Sequence, residues 1–261
     1  MTIQAKFSAL KTTGDKALVC FFTAGDQPLE DLPKIVSYLA ENGADVIEIG
    51  LPFSDPFGEG PTIQDSSQRS LENGTNLTKV LDAIAECEST IPLVTMGYFN
   101  PILRFGLDKF AAKSKEVGVT GTIVSDLVPD EATVWDDVCR QENLETIYLV
   151  APTSTSERIQ QVTKQSTGFV YVVSRTGVTG AESEVPIEIS SLVMKVKNLT
   201  DKPVCVGFGI STPAHVRLVC KEADGAVVGS EIVLMLHKHW NNLEERHLIG
   251  EYVRSLKGAT V

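Results

Sequence analysis

Eight short runs rich in β-branched residues recur along the chain, and each is followed by a turn signal and then an amphipathic stretch. The runs are ALVCFFTA (17–24), DVIEIGL (45–51), IPLVTMGY (91–98), TGTIVSD (120–126), ETIYLVA (145–151), GFVYVVS (168–174), PVCVGFG (203–209) and DGAVVGS (224–230). Between them lie stretches such as PLEDLPKIVSYLAENG, with apolar residues three and four apart and Gly43 as a stop signal. Strand-helix alternation without a break implies a parallel α/β architecture. A doubly wound sheet also alternates in this way, but eight strands in 261 residues fit closure into a barrel better. Pro, Gly and Ser are dispersed, so nothing reads as a linker. The expected fold is an α/β (β/α)8 TIM barrel forming a single domain over residues 1–261. An extra N-terminal helix around Ile3–Leu10 is expected to plug its floor.

A formal net charge of −11 argues against nucleic acid or an anionic membrane as a partner, since both require a basic face. A phosphorylated small molecule would have to be held by local dipoles instead. The start, MTIQAKFSALKTTGDKALVC, lacks the apolar stretch and small-residue cleavage site of a secretory signal. No apolar run is long enough to span a bilayer. A soluble, cytoplasmic protein is expected. The five cysteines, Cys20, Cys87, Cys139, Cys205 and Cys220, are odd in number and widely spaced, which reads as buried reduced thiols. His237 and His239 in HKHW have no neighbouring carboxylate or cysteine in sequence, so a helix surface is expected there and no metal.

In a barrel the active site lies at the carboxyl ends of the strands, and polar residues there take a functional reading first. Glu48 interrupts the apolar run VIEIGLPF, and strand alternation places it inward with Val46 and Gly50. A carboxylate facing the interior must be hydrogen-bonded, protonated or functional. The segment PFSDPFGEGPTIQDSSQRS that follows adds Asp55 and Glu59 among prolines and glycines, which reads as a long functional loop. Three glycine-bearing turns, VSRTGVTGAES, GFGIS and VVGSEIV, follow the sixth, seventh and eighth runs. Glycines at strand ends, beside a helix N-terminus, describe a phosphate cradle.

Taken in order, FFTAGD, GADVIEIGLPFSDPFGEGPTIQ, MGYFNPIL, SDLVPDEA, YVVSRTGVTGA, GFGIS and GAVVGS resemble the signature segments of tryptophan synthase alpha subunits. The resemblance spans nearly the whole chain, and its most specific part is the E-x-G-x-P-F-S-D-P segment. It implies retro-aldol cleavage of indole-3-glycerol phosphate to indole and glyceraldehyde 3-phosphate, with no cofactor and no metal. Glu48 matches the family's general acid and base, Glu59 occupies the place of a second carboxylate, and Tyr171 matches a tyrosine near the scissile bond. Phosphate contacts carry over to Gly180, Gly209, Gly229 and Ser230. Phe21, Tyr98 and Phe208 match residues of the indole pocket, and Arg175 and Thr179 match a closing lid. The resemblance also implies an αββα assembly with a beta subunit, met through Pro52, Phe53, Asp55, Asn100 and Pro129, and allosteric activation of that subunit.

One departure sits at the site. The family's usual A-D-G-P is here Gly58-Glu59-Gly60-Pro61, which carries the carboxylate about 1.5 Å farther on a looser backbone. Two functions therefore stay open at this point: the lyase, and a regulatory subunit whose own cleavage is slow or lost.

Overall fold

The computed structural model describes residues 1–174 and 188–261. Helix α1 (Ile3–Thr13) starts at Thr2, whose hydroxyl accepts the Ala5 N–H at 3.2 Å. Strand β1 (Ala17–Thr23) is buried along its length, and α2 (Leu32–Glu41) ends before Gly43, which sits at φ 113° as its stop signal requires. Then come β2 (Val46–Gly50), α3 (Pro61–Glu72), α4 (Leu77–Ala85) and β3 (Leu93–Gly97). Next are α5 (Phe99–Phe105), α6 (Leu107–Glu116), β4 (Val119–Val124) and α7 (Thr133–Gln141). The chain continues through β5 (Glu145–Ile147), β6 (Leu149–Val150), α8 (Ser156–Gln165), β7 (Val170–Val173) and α9 (Glu188–Lys197). It closes with β8 (Val204–Gly207), α10 (Pro213–Val219), β9 (Gly225–Val228), α11 (Ser230–His239) and α12 (Arg246–Lys257).

All pairings are parallel, in the order β5-β4-β3-β2-β1-β9-β8-β7-β6. The two ends of that order belong to one run, ETIYLVA, which is interrupted at Tyr148 where an unbroken strand was expected. The cause is local. The Tyr148 N–H turns to the Ser166 hydroxyl at 3.3 Å and leaves the ladder, while its carbonyl still accepts the Tyr171 N–H at 3.1 Å. The chain itself thus joins the two edges, and the eight runs form a (β/α)8 TIM barrel. Strands buried on both sides explain the near-continuous apolar runs.

Helix α1 closes the amino-terminal floor, as its sequence suggested. Ile3 is fully buried, the Phe7 and Phe169 rings lie 6.2 Å apart, and the Gln4 side chain donates to the Gly168 carbonyl at 3.1 Å. Two readings need correction. The segment expected to be loop from 52 to 70 is irregular only to Gly60, because Pro61 opens α3, where its fixed φ and missing N–H are tolerated. His239 is also not on a helix surface. It is buried at the end of α11, with its Nδ1 2.7 Å from a Glu245 carboxylate oxygen contributed by the following turn. Cys20, Cys139, Cys205 and Cys220 are buried and Cys87 is half-buried, all as free thiols. Among the described residues no helix is long and apolar enough to cross a membrane.

Candidate active site

The strand register sets Glu48 on β2 beside Phe21 on β1. Both line a cavity of about 260 Å³ at the carboxyl ends of the strands. Met96 on β3, Tyr171 on β7 and Val227 on β9 complete its strand-borne wall. Three chain segments supply the rest: Glu59 to Ile63 ahead of and into α3, Phe208 to Ser211 after β8, and Gly229 to Glu231 with Leu234 at the start of α11.

Glu48 is 1% exposed, and its Oε2 has no hydrogen-bond partner among the described residues. Burial, reinforced by the charge of Glu59, pushes its carboxyl up to about 8. Glu59 is 5% exposed, and burial raises its carboxyl to about 7. Two carboxyl groups in one cavity with raised affinity for protons are suited to giving and taking a proton near neutrality. The Tyr171 hydroxyl is held in its protonated form, first by burial and then by Glu48 and Glu59. Gly207 makes room for it, since a Cβ there would overlap the hydroxyl.

Phe208 packs edge-on against Tyr171, with centroids 5.7 Å apart, and takes φ 67° although it is not glycine. Such a conformation costs on the order of 1 kcal/mol and persists where surrounding contacts enforce it. Here the Ser174 hydroxyl donates to the Phe208 carbonyl, and Gly209 follows at φ 81°. Beyond Gly229, which caps α11 without a side-chain bond, Ser230 opens the helix. The N–H groups of a first turn have no intrahelical partners, so this end of the cavity is electropositive. Gly209, Gly229 and Ser230 therefore line the same cavity as Glu48 and Glu59. Gly180, Arg175 and Thr179 lie outside the described residues.

Of the three aromatics expected in a pocket, Phe21 and Phe208 line the cavity. Tyr98 lines a narrow cleft of about 10 Å³ beside it, shared with Phe21, Glu59 and Met96. Its hydroxyl accepts the Gly58 N–H at 3.0 Å, and the Phe53 and Phe57 rings pack against it at 5.2 and 5.4 Å. On the outer face Asp55 and Asn100 are exposed, and Pro52 and Phe53 are half-buried. Pro129 is buried, and its neighbours Val128, at 41%, Asp130 and Glu131 are exposed. Phe57 stands out at 64% exposed. Sequence reasoning did not single out Phe57, Gln64, Met96, Ser211 or Glu231. All five sit inside the motif segments, Ser211 in GFGIS and Glu231 in VVGSEIV, so motif position was the available signal. Among the described residues no cluster of three histidines, cysteines or acids is arranged to hold a metal ion.

A parallel barrel with buried acids at the carboxyl ends of its strands defines the class: a (β/α)8 barrel built around one catalytic mouth. The family model described as tryptophan synthase alpha chain matches residues 7–259. The tryptophan synthase alpha chain of Geobacter sulfurreducens is 45% identical over 259 residues, covering 98% of each chain. That of Desulfatibacillum aliphaticivorans is 41% identical, over 99% of this chain and 98% of its own. A solved chain of Mycobacterium tuberculosis tryptophan synthase superposes with a TM-score of 0.90 at 34% identity, over 99% of this chain and 97% of that one. The alpha chain from Legionella pneumophila gives 0.88 at 32% identity, over 100% and 97%. The chain belongs to the tryptophan synthase alpha chain family, a family of lyases.

Proposed function

We propose that this chain cleaves indole-3-glycerol phosphate to indole and glyceraldehyde 3-phosphate by a retro-aldol reaction. The observation that carries the reading is the make-up of the cavity: two buried carboxyls, one with an oxygen unpartnered among the described residues, in a space also lined by glycine turns and a helix N-terminus. An indole binds among Phe21, Met96 and Phe208, and the phosphate among Gly209, Gly229 and Ser230. Gly180 joins the phosphate contacts, and Arg175 and Thr179 form the lid, on the family resemblance.

Protonated Glu48 gives its proton to indole C3, which leaves an iminium in the ring as an electron sink. The glycerol hydroxyl at the carbon attached to C3 then returns a proton to Glu48. Its oxygen lone pair becomes the aldehyde C=O as the carbon–carbon bond breaks, and the bonding pair restores the indole. Protons and electrons balance without a cofactor. Glu59, ionised, steadies positive charge on the ring N–H, and Tyr171 lies near the breaking bond. The additional methylene of Glu59 does not carry its carboxyl out of the cavity, which favours a working lyase over a purely regulatory chain.

In the same reading the chain works in an αββα heterotetramer and activates a beta subunit. The docking face contains Pro52, Phe53, Asp55, Asn100 and the Pro129 turn, with exposed Phe57 added to it. A steady-state assay of the purified chain on indole-3-glycerol phosphate, alone and with a beta subunit, tests the proposal. Turnover that is lost in Glu48→Gln is the expected result, and absence of cleavage in both settings would overturn it.

A further inference from the structure

We propose that Gln64 is a positioning residue: from the first turn of α3 it grips the peptide that carries Glu59 and thereby sets where that carboxyl lies in the cavity. Its catalytic consequence rests on the lyase reading, whereas the contact rests on geometry alone. The Gln64 Nε2 donates to the Glu59 carbonyl at 2.8 Å. On the other side of the residue, the Gly58 N–H donates to the Tyr98 hydroxyl at 3.0 Å. The Glu59 N–H closes a turn on the Pro56 carbonyl at 3.0 Å. The peptide after Glu59 is thus held by the Gln64 side chain, the one before it by the Pro56 carbonyl, and the Phe57–Gly58 peptide by the Tyr98 hydroxyl.

The need for such a grip is specific to this sequence. Glycines 58 and 60 flank Glu59, so side-chain sterics restrain the backbone little, and glutamate adds a rotatable bond to the arm. What Gln64 offers is attachment to a fixed body. Helix α3 is stitched to the end of β1 along one face. The Ser66 and Thr23 hydroxyls are 2.6 Å apart, Ser70 donates to the Ala24 carbonyl at 2.6 Å, and Asn73 donates to the Gly25 carbonyl at 3.1 Å. Arg69 meets both Asp26 carboxylate oxygens, at 2.6 and 3.0 Å. These positions recur at three- and four-residue spacing, so the helix cannot slide without breaking the whole row. Gln64 lies two residues ahead of that row, is itself only half-buried, and tolerates replacement without opening the core.

The test is Gln64→Met, which keeps the side-chain length and removes the N–H donor. Gln64→Glu, which exchanges the donor for an acceptor, serves as a second variant. Displacement of a reacting group by about 1 Å costs up to roughly a hundredfold in rate, so kcat is expected to fall about tenfold, with KM within about twofold. In a Glu59→Gln background the same substitution is expected to add nothing, because the group it positions is already gone. A second readout needs no turnover: carbon NMR of glutamate-labelled protein, with the Glu59 signal identified by its absence in Glu59→Gln. Its titration is expected to move down toward the ordinary carboxylate range in Gln64→Met, as the loop opens to water. An unchanged kcat, or an equal loss in both backgrounds, overturns the positioning role. Should wild-type protein not cleave the substrate, the lyase reading fails, and the Glu59 titration alone decides: a shift supports the grip, and no shift overturns it.

Discussion

Glu48 carries the largest expected effect of any single residue. Replacing it with glutamine keeps the shape and removes the exchangeable proton, so kcat should fall at least about a hundredfold, while affinity for a glycerol-phosphate ligand stays within a few-fold. Steady-state kinetics with calorimetry checks both halves. The same carboxyl also sets a pH dependence of stability. Its folded value of about 8 lies above the ordinary carboxyl value of 4.5, so the folded protein binds a proton that the unfolded chain has released in that window. The stabilisation is complete below the unfolded value and is lost as pH rises through the folded one. Glu48→Gln should therefore be more stable than wild type by about 1–3 kcal/mol in mildly alkaline buffer, and no more stable near pH 4. Urea unfolding at the two pH values measures this, and an equal difference at both would rule out the buried acid as its cause. Glu48 was legible in the sequence because one acid interrupts an apolar strand. Gln64 was not, because its contact is a side-chain hydrogen bond to a backbone carbonyl across a helix start, which leaves no compositional trace. Tyr98 was legible only as an aromatic ring; nothing in the sequence announced that its hydroxyl holds Gly58.

Among the elements, α11 does the most to give the cavity an anion-seeking end. Gly229 and Ser230 open the helix into the cavity, but Glu231 already places one acid in its first turn. A second acid at Ser230→Asp would stand against a bound phosphate. Affinity for glycerol phosphate should fall at least about tenfold, since each charge at a helix terminus is worth roughly 0.3–1 kcal/mol and direct repulsion adds to it. Calorimetry on the folded variant decides, and unchanged affinity would place the anion elsewhere. Strands and helices were legible wherever periodicity is strong, as with the stop of α2 at Gly43. Reading failed where one residue type serves two roles. Proline at position 61 opens a helix, yet among glycines it reads as loop. Tyr148 fits a strand by propensity, and only the Ser166 hydroxyl, distant in sequence, draws its N–H out of the ladder.

At the scale of the whole molecule, the barrel separates chemistry at one mouth from fastening at the other. Asp45, just before β2, is the fastening point. It is 4% exposed, accepts the Leu18 N–H at 2.9 Å, and meets Lys6 of α1 and Lys257 of α12, each at 2.8 Å. Lys257 also donates to the Lys16 carbonyl at 3.0 Å. One carboxylate thus ties the floor helix, the first strand and the last helix, joining both ends of the chain to the barrel. Asp45→Ala would leave two ammonium groups without their counterion and one buried N–H without an acceptor. Removing one partner of a buried pair costs about 3–5 kcal/mol; because both lysines are partly exposed and can turn to water, about 2–3 kcal/mol is expected here. The loss should be read in urea unfolding as a lower midpoint with an unchanged slope. Cleavage at temperatures well below unfolding should stay within about twofold of wild type, because Asp45 lies at the amino-terminal floor and the cavity opens at the opposite face. A large loss of kcat in the folded variant would show that floor and mouth are coupled, and the division of labour between the two ends would not hold.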